Sequence, residues 1–278
     1  MGYIRRIIRA GNTVEVEEHF SNRYGFHDKR GRKENQTPEQ VRRAYIERRK
    51  KQLRWLMNEN FKDGRDALLT LSWRKGEAPK TLEETKHQAE LFVRRLRAEY
   101  KAWGLELKYI YCVEIGPRGS RHIHIMVSNA AEIAPVTLYR YWDGIMDIKV
   151  LYTQGQYGDI ANYMVKQYAE KTALVTGGDI KRCFETSRNL KKPEVTVERI
   201  REKDIRKEIK EPEGMILDKA SVRQGVGKIT GRPYRFYRLL ITAKVRENVE
   251  EKTENCARAT GIQKVKNWIG GILRRWRR

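Results

Sequence analysis

The sequence predicts an α+β fold: a mostly antiparallel central sheet covered by helices, with a basic N-terminal helix before it and a C-terminal extension after it. Three observations carry this. Short β-favouring runs recur at ALLTLSW (67–73), LKYIYCVEI (107–115), HIHIMVS (122–128) and GIMDIKVLY (144–152). Segments with helical spacing separate them. The two middle runs are joined by GPRGSR, whose Gly and Pro suit a hairpin loop. Strand, helix, strand, hairpin strand, helix, strand, helix is the order of an α+β domain.

The first forty residues are polar and rich in turn formers (GNT, SNRYG, HDKRGRKENQTP) and read as loosely structured. TPEQ is a helix start, with Thr37 as N-cap, Pro38 at the first position and Gln40 closing a capping box. The basic helix then runs to about Asn60. Pro79 and Thr81 open a second helix, on which Ala89, Phe92, Val93, Leu96 and Tyr100 recur at helical spacing before Gly104 ends it. A short helix is expected in APVTLYRYW (134–142) and another from Gly158. VERIREKDIRKEIKEPEG (197–214) reads as an exposed helix or linker, and PYRFYRLLI (233–241) as one more strand. The expected division is a basic segment and helix over 1–60, the α+β domain over 61–195 and a charged extension over 196–278.

The 278 residues contain 59 Lys plus Arg against 36 Asp plus Glu, a formal charge of +23. Such a field attracts polyanions. The excess clusters: residues 42–54 hold seven basic residues against Glu47 alone, and the last eighteen hold six and no acid. Cys112, Cys183 and Cys256 are few, odd in number and far apart, so no disulfide framework is implied and a reducing compartment is expected. No apolar run reaches the ~20 residues of a membrane span, and MGYIRRIIRAG does not read as a signal peptide. A cytoplasmic protein is expected. In the tail, Trp268, Ile272 and Trp276 align at helical spacing among arginines, leaving packing against protein or DNA ranked above a membrane surface.

His122 and His124 alternate with Ile123, Ile125 and Val127, so the two imidazoles share one strand face and the apolar residues the other. If Ile115 pairs with Arg121 across the hairpin, Glu114 lies opposite His122 on the histidine face. Two readings are open: solvated surface residues, or a two-imidazole, one-carboxylate set suited to Mg²⁺ or Mn²⁺ as well as Zn²⁺. On the helix from Gly158, Ala161, Met164, Val165 and Tyr168 form the apolar stripe, which makes Tyr168 a core residue. Tyr163 lies off that stripe and shares its face with Lys166, a cation that would favour phenolate character in a nucleophile. Alone, Tyr-x-x-Lys is common in helices. In the basic helix, Tyr45 and Trp55 lie among the cations, fitting either single-strand contacts or core packing.

LTLSW, Glu114, His122-Ile123-His124 and Tyr163-x-x-Lys166 stand in the order of the three motifs of HUH-superfamily rolling-circle replication initiators. The chain resembles these Rep endonucleases of small phages and plasmids over about residues 65–195, with SRNLKKPE (187–194) similar to a segment that follows the catalytic domain in some phage-type members. The resemblance implies an RRM-like sheet and a nickase of single-stranded origin DNA. It implies a divalent metal (Mg²⁺ or Mn²⁺) at Glu114, His122 and His124, Tyr163 as nucleophile and Lys166 as its helper, with no small-molecule cofactor. Because no G-x-x-x-x-G-K-[ST] loop occurs, a host or partner helicase and a polymerase are expected partners. Some relatives use two tyrosines one helical turn apart, whereas Tyr163 and Tyr168 are five residues and about 140° apart. A relaxase or single-strand transposase of the same superfamily is the alternative enzyme. A non-catalytic sheet-based nucleic-acid-binding protein would need exposed stacking aromatics, yet Tyr109 and Tyr111 fall opposite the face of Glu114.

Overall fold

The computed structural model describes residues 2–21, 37–116, 118–133, 135–173, 182–227 and 231–242. In chain order these form β1 (Gly2–Ala10), β2 (Thr13–Ser21), α1 (Pro38–Asn60), β3 (Ala67–Ser72), α2 (Leu82–Ala102), β4 (Tyr109–Ile115) and β5 (Arg121–Val127). There follow α3 (Pro135–Arg140), β6 (Ile145–Val150), α4 (Gly158–Gln167), a π-helical turn (Tyr168–Thr172), β7 (Glu185–Thr186), β8 (Glu194–Ile200), α5 (Glu202–Ile205), β9 (Met215–Val226) and β10 (Pro233–Ile241). Two compact units result, Arg30–Pro193 and Met1–Lys29 with Glu194–Arg278. The basic helix thus groups with the expected α+β domain, and the N-terminal strands group with the C-terminal ones. Cys256 and the Trp268–Trp276 tail lie outside the described residues. Among the described residues no helix is long and apolar enough to cross a membrane.

In the first of these units the sheet runs β6-β3-β5-β4-β7, antiparallel throughout. Strand alternation gives it two apolar faces. Leu69, Leu71, Tyr111, Val113, Ile123 and Ile125 bury one against Ala89, Phe92, Val93, Leu96 and Tyr100 of α2. Ile110, Cys112 and Met126 bury the other beneath Leu53 and Met57 of α1 and Ala161, Met164, Val165 and Tyr168 of α4. Helix starts follow the sequence: Thr37 and Gln40 make the reciprocal capping box, and Thr81 and Glu84 do the same for α2. Gly104 takes φ 69°, and Leu105 N–H donates to the Tyr100 carbonyl at 2.8 Å to close α2. Gly144 is held for space, since a Cβ there would stand 2.1 Å from the Ser72 carbonyl oxygen.

The other unit corrects two expectations. Residues 2–21 are not loosely structured; β1 and β2 form a hairpin around Gly11 and Asn12, with Gly11 at φ 55°. The 197–214 segment begins as strand, and its sheet runs β8-β1-β2-β10-β9. The expected strand at 233–241 is β10. Ile7, Val14, Val16, Tyr237 and Leu239 form its core. Beside them the buried Glu18 carboxylate accepts from Arg5 Nε at 2.7 Å and from Arg235 Nε at 2.6 Å. Arg235, 4% exposed, also donates to the Asp204 carbonyl at 3.2 Å. Removing Arg235 strips the buried Glu18 of one of its two guanidinium partners, so Arg235→Leu is expected to cost about 1.5–3 kcal/mol in chemical denaturation, against under about 1 kcal/mol for the exposed Arg206→Leu.

Candidate active site around Glu114

The hairpin register is Ile115↔Arg121, Glu114↔His122 and Cys112↔His124, so Glu114 and both histidines share the face covered by α1 and α4. Glu114 is 6% exposed. Its Oε2 accepts from His124 Nε2 at 2.9 Å and from the Tyr163 hydroxyl at 3.2 Å, while Oε1 accepts from Lys171 Nζ at 2.5 Å. His124 Nδ1 stands 3.4 Å from Thr70 Oγ1, its ring meets Tyr163 edge-on at 5.2 Å, and His122 stacks on it at 6.3 Å. Four expected residues are therefore brought together: Glu114, His122, His124 and Tyr163.

Lys166 is not among them. Its Nζ lies 3.8 Å from Glu170 and its side chain is 60% exposed. The lysine on the carboxylate is Lys171, which sequence reasoning missed. In a regular helix Lys171 would lie about 80° around from Tyr163, at ~100° per residue. The π turn holds an extra residue and winds that angle back. Thr172 fixes the turn: its Oγ1 accepts from Ile115 N–H at 2.8 Å and donates to the Val113 carbonyl at 3.1 Å, bracketing Glu114. Among the described residues β7 pairs with Ile110 and Tyr111, which leaves those groups on β4 to Thr172. The one trace in the sequence is that Tyr168-x-x-Lys171 repeats the Tyr-x-x-Lys spacing.

The electrostatics follow from these contacts. The His124 hydrogen bond, then Lys171, hold the Glu114 carboxyl down at about 2 despite burial. Burial, then the neighbouring carboxylate, push the Tyr163 phenol up to about 12. This corrects the expectation of phenolate character, because the group beside the phenol is an anion and Lys166 points elsewhere. Burial also lowers His122, leaving a neutral imidazole at neutral pH. Among the described residues, no group of three or more His, Cys, Asp or Glu is arranged to hold a metal ion as the side chains lie.

Tyr168, 1% exposed, is in the core as its stripe requires. Tyr109 and Tyr111 lie on the α2 face, Tyr111 only 3% exposed, so they present no open stacking platform. SRNLKKPE braces the sheet: Ser187 pairs with Tyr109 through both backbone and hydroxyl, and Asn189 donates to the Leu107 carbonyl. On α1, Arg42 donates to the Ala169 carbonyl and Arg49 stacks over Phe184 at 4.0 Å, while Arg43 and Arg48 are exposed. Tyr45 and Trp55 are half-buried.

Residues 66–172 match the family model of replication-associated protein ORF2/G2P. That span runs from just before β3 through the π turn and contains the whole Glu114 cluster. The match supports a role in replication. No curated protein and no solved structure matches the chain.

A carboxyl held low in the folded state contributes stability that is present above its ordinary value of 4.5 and lost as pH falls toward about 2. Thermal unfolding followed across that window is expected to show a steeper acid loss in wild type than in Glu114→Gln. Parallel curves would exclude the ion-pair assignment.

Proposed function

We propose that this chain is a rolling-circle replication initiator that nicks single-stranded origin DNA by tyrosine transesterification. The observation that carries the reading is the Tyr163 hydroxyl hydrogen-bonded to the carboxylate that also holds His124 and Lys171. Tyr163 is 43% exposed, so its oxygen is reachable by a strand although its partner is buried.

In the reaction, Tyr163 Oη attacks the scissile phosphorus in line, the bond to the 3′ oxygen breaks, and a 5′-phosphotyrosine and a free 3′-OH result. The phenolic proton passes along its hydrogen bond to Glu114 Oε2 as the new bond to phosphorus forms, because a neutral phenol is a poor nucleophile, and the departing 3′ oxygen takes a proton from solvent. Lys171 holds an ammonium on the other oxygen of the carboxylate that holds the phenol, in the site where negative charge would collect on the phosphate. Reversal of the same step rejoins ends, since the phosphodiester energy is kept in the protein–DNA bond.

We assign a divalent cation, Mg²⁺ or Mn²⁺, to Glu114, His122 and His124, because two imidazoles and a carboxylate are ligand types these ions accept. The three side chains would have to turn toward a common point to hold it. His122 is neutral, and His124 can free Nε2 by carrying its proton on Nδ1, where Thr70 Oγ1 stands as acceptor. Bound there, the ion supplies polarisation of the scissile phosphate. The exposed cations of α1 supply phosphate contacts. Unwinding and synthesis are assigned to a helicase and a polymerase of the host.

Incubation with Mn²⁺ and labelled single strands tiling the replicon that encodes the chain is expected to give a covalent adduct on a denaturing gel. Tyr163→Phe abolishes it and Tyr168→Phe retains it. Lys171→Ala slows its formation about 10²-fold, and Lys166→Ala much less. Loss of the adduct in a folded Tyr168→Phe, with Tyr163→Phe active, overturns the assignment.

A further inference from the structure

Where β3 ends, a cavity of about 340 Å³ opens on the α2 side of the sheet. Trp73, Tyr141 and Trp142 give it aromatic walls, with the Trp73 and Trp142 rings edge-to-face at 5.0 Å. Its shape is built in: Trp142 Nε1 donates to the Ser72 carbonyl at 2.9 Å, and Gly144 permits that approach. Tyr141 is fixed by its hydroxyl on Glu99. In a chain of charge +23, its charged lining is three carboxylates, Glu77, Glu84 and Asp143, against one guanidinium, Arg95, which donates to the Tyr141 carbonyl. Glu84 is spent on the N–H groups of Lys80 and Thr81, which leaves the exposed Glu77 and Asp143 as the other carboxylates of the lining.

We propose that this cavity receives one unpaired base of the DNA strand, and selects a base that carries amino donors, guanine first. Aromatic walls take a base face, and carboxylates repel phosphate but accept from N–H groups on a base edge. Guanine offers two adjacent donors, which a carboxylate takes bidentately; cytosine and adenine offer an exocyclic amine, and thymine only a ring N–H. Location favours the same occupant. Trp73 directly follows Ser72, and Ser72 pairs with His122 across the ladder, so the cavity lies at the sheet end that carries the Glu114 site. A strand held at Tyr163 can turn a neighbouring base around that end. The inference rests on the single-stranded DNA reading above.

The test uses the full chain and labelled oligothymidylate, compared with the same strand carrying one central guanine, adenine or cytosine. Guanine is expected to tighten binding about tenfold over thymine, with adenine and cytosine between. Trp73→Ala, and the exposed pair Glu77→Gln with Asp143→Asn, are each expected to cut that advantage below about twofold while oligothymidylate still binds. The double variant carries the test if Trp73→Ala loses its fold. No guanine preference in wild type, or a preference intact in the double variant, overturns the base pocket and leaves the nicking reading standing. Failure of every strand to bind wild type removes the single-stranded DNA reading and the pocket with it.

Discussion

A carboxylate buried between a sheet and its covering helices is costly unless its oxygens are occupied, and Glu114 meets that demand with three different elements. His124 comes from the neighbouring strand, Tyr163 from α4 and Lys171 from the turn beyond it. The demand therefore fixes how helix and turn lie over the sheet, as well as which residues are neighbours. Thr172 completes the constraint by closing on the backbone on both sides of Glu114. A longer β7 would have taken those backbone groups and displaced the turn.

The same constraint sets the chemistry. A phenol pinned to an anion stays protonated, so Tyr163 is held as a donor, and under the proposed function a strand and a cation would have to change the balance around Glu114 before it could attack. On the proposed reading, the cavity on the opposite face of the sheet would add recognition without crowding the carboxylate.

The unit that carries Glu114 was legible because its rules are local. Alternation placed Glu114 and the histidines on one face, the GPRGSR loop fixed their register, and capping boxes marked Thr37 and Thr81. Helical spacing separated the core residue Tyr168 from the exposed Tyr163. The misses have a common physical cause. Arg5, Arg6, Glu17 and Glu18 make β1 and β2 look like polar coil, and their charges cancel only once Arg5 faces Glu18 and Arg6 faces Glu17. Strands β8 and β10, which complete that sheet, come from the far end of the chain. Lys171 escaped because a π turn breaks the 3.6-residue arithmetic that pointed to Lys166.

Titration of the Tyr163 phenol tests the role of Glu114 most directly. With ¹³C-labelled tyrosine, its ring-carbon resonance is the one missing in Tyr163→Phe. The account predicts a midpoint near 12 in wild type that moves down toward the ordinary value of 10 in Glu114→Gln, stopping short of it because burial is the larger cause. An unchanged midpoint would show that the carboxylate does not hold the phenol, and would contradict the account at its centre.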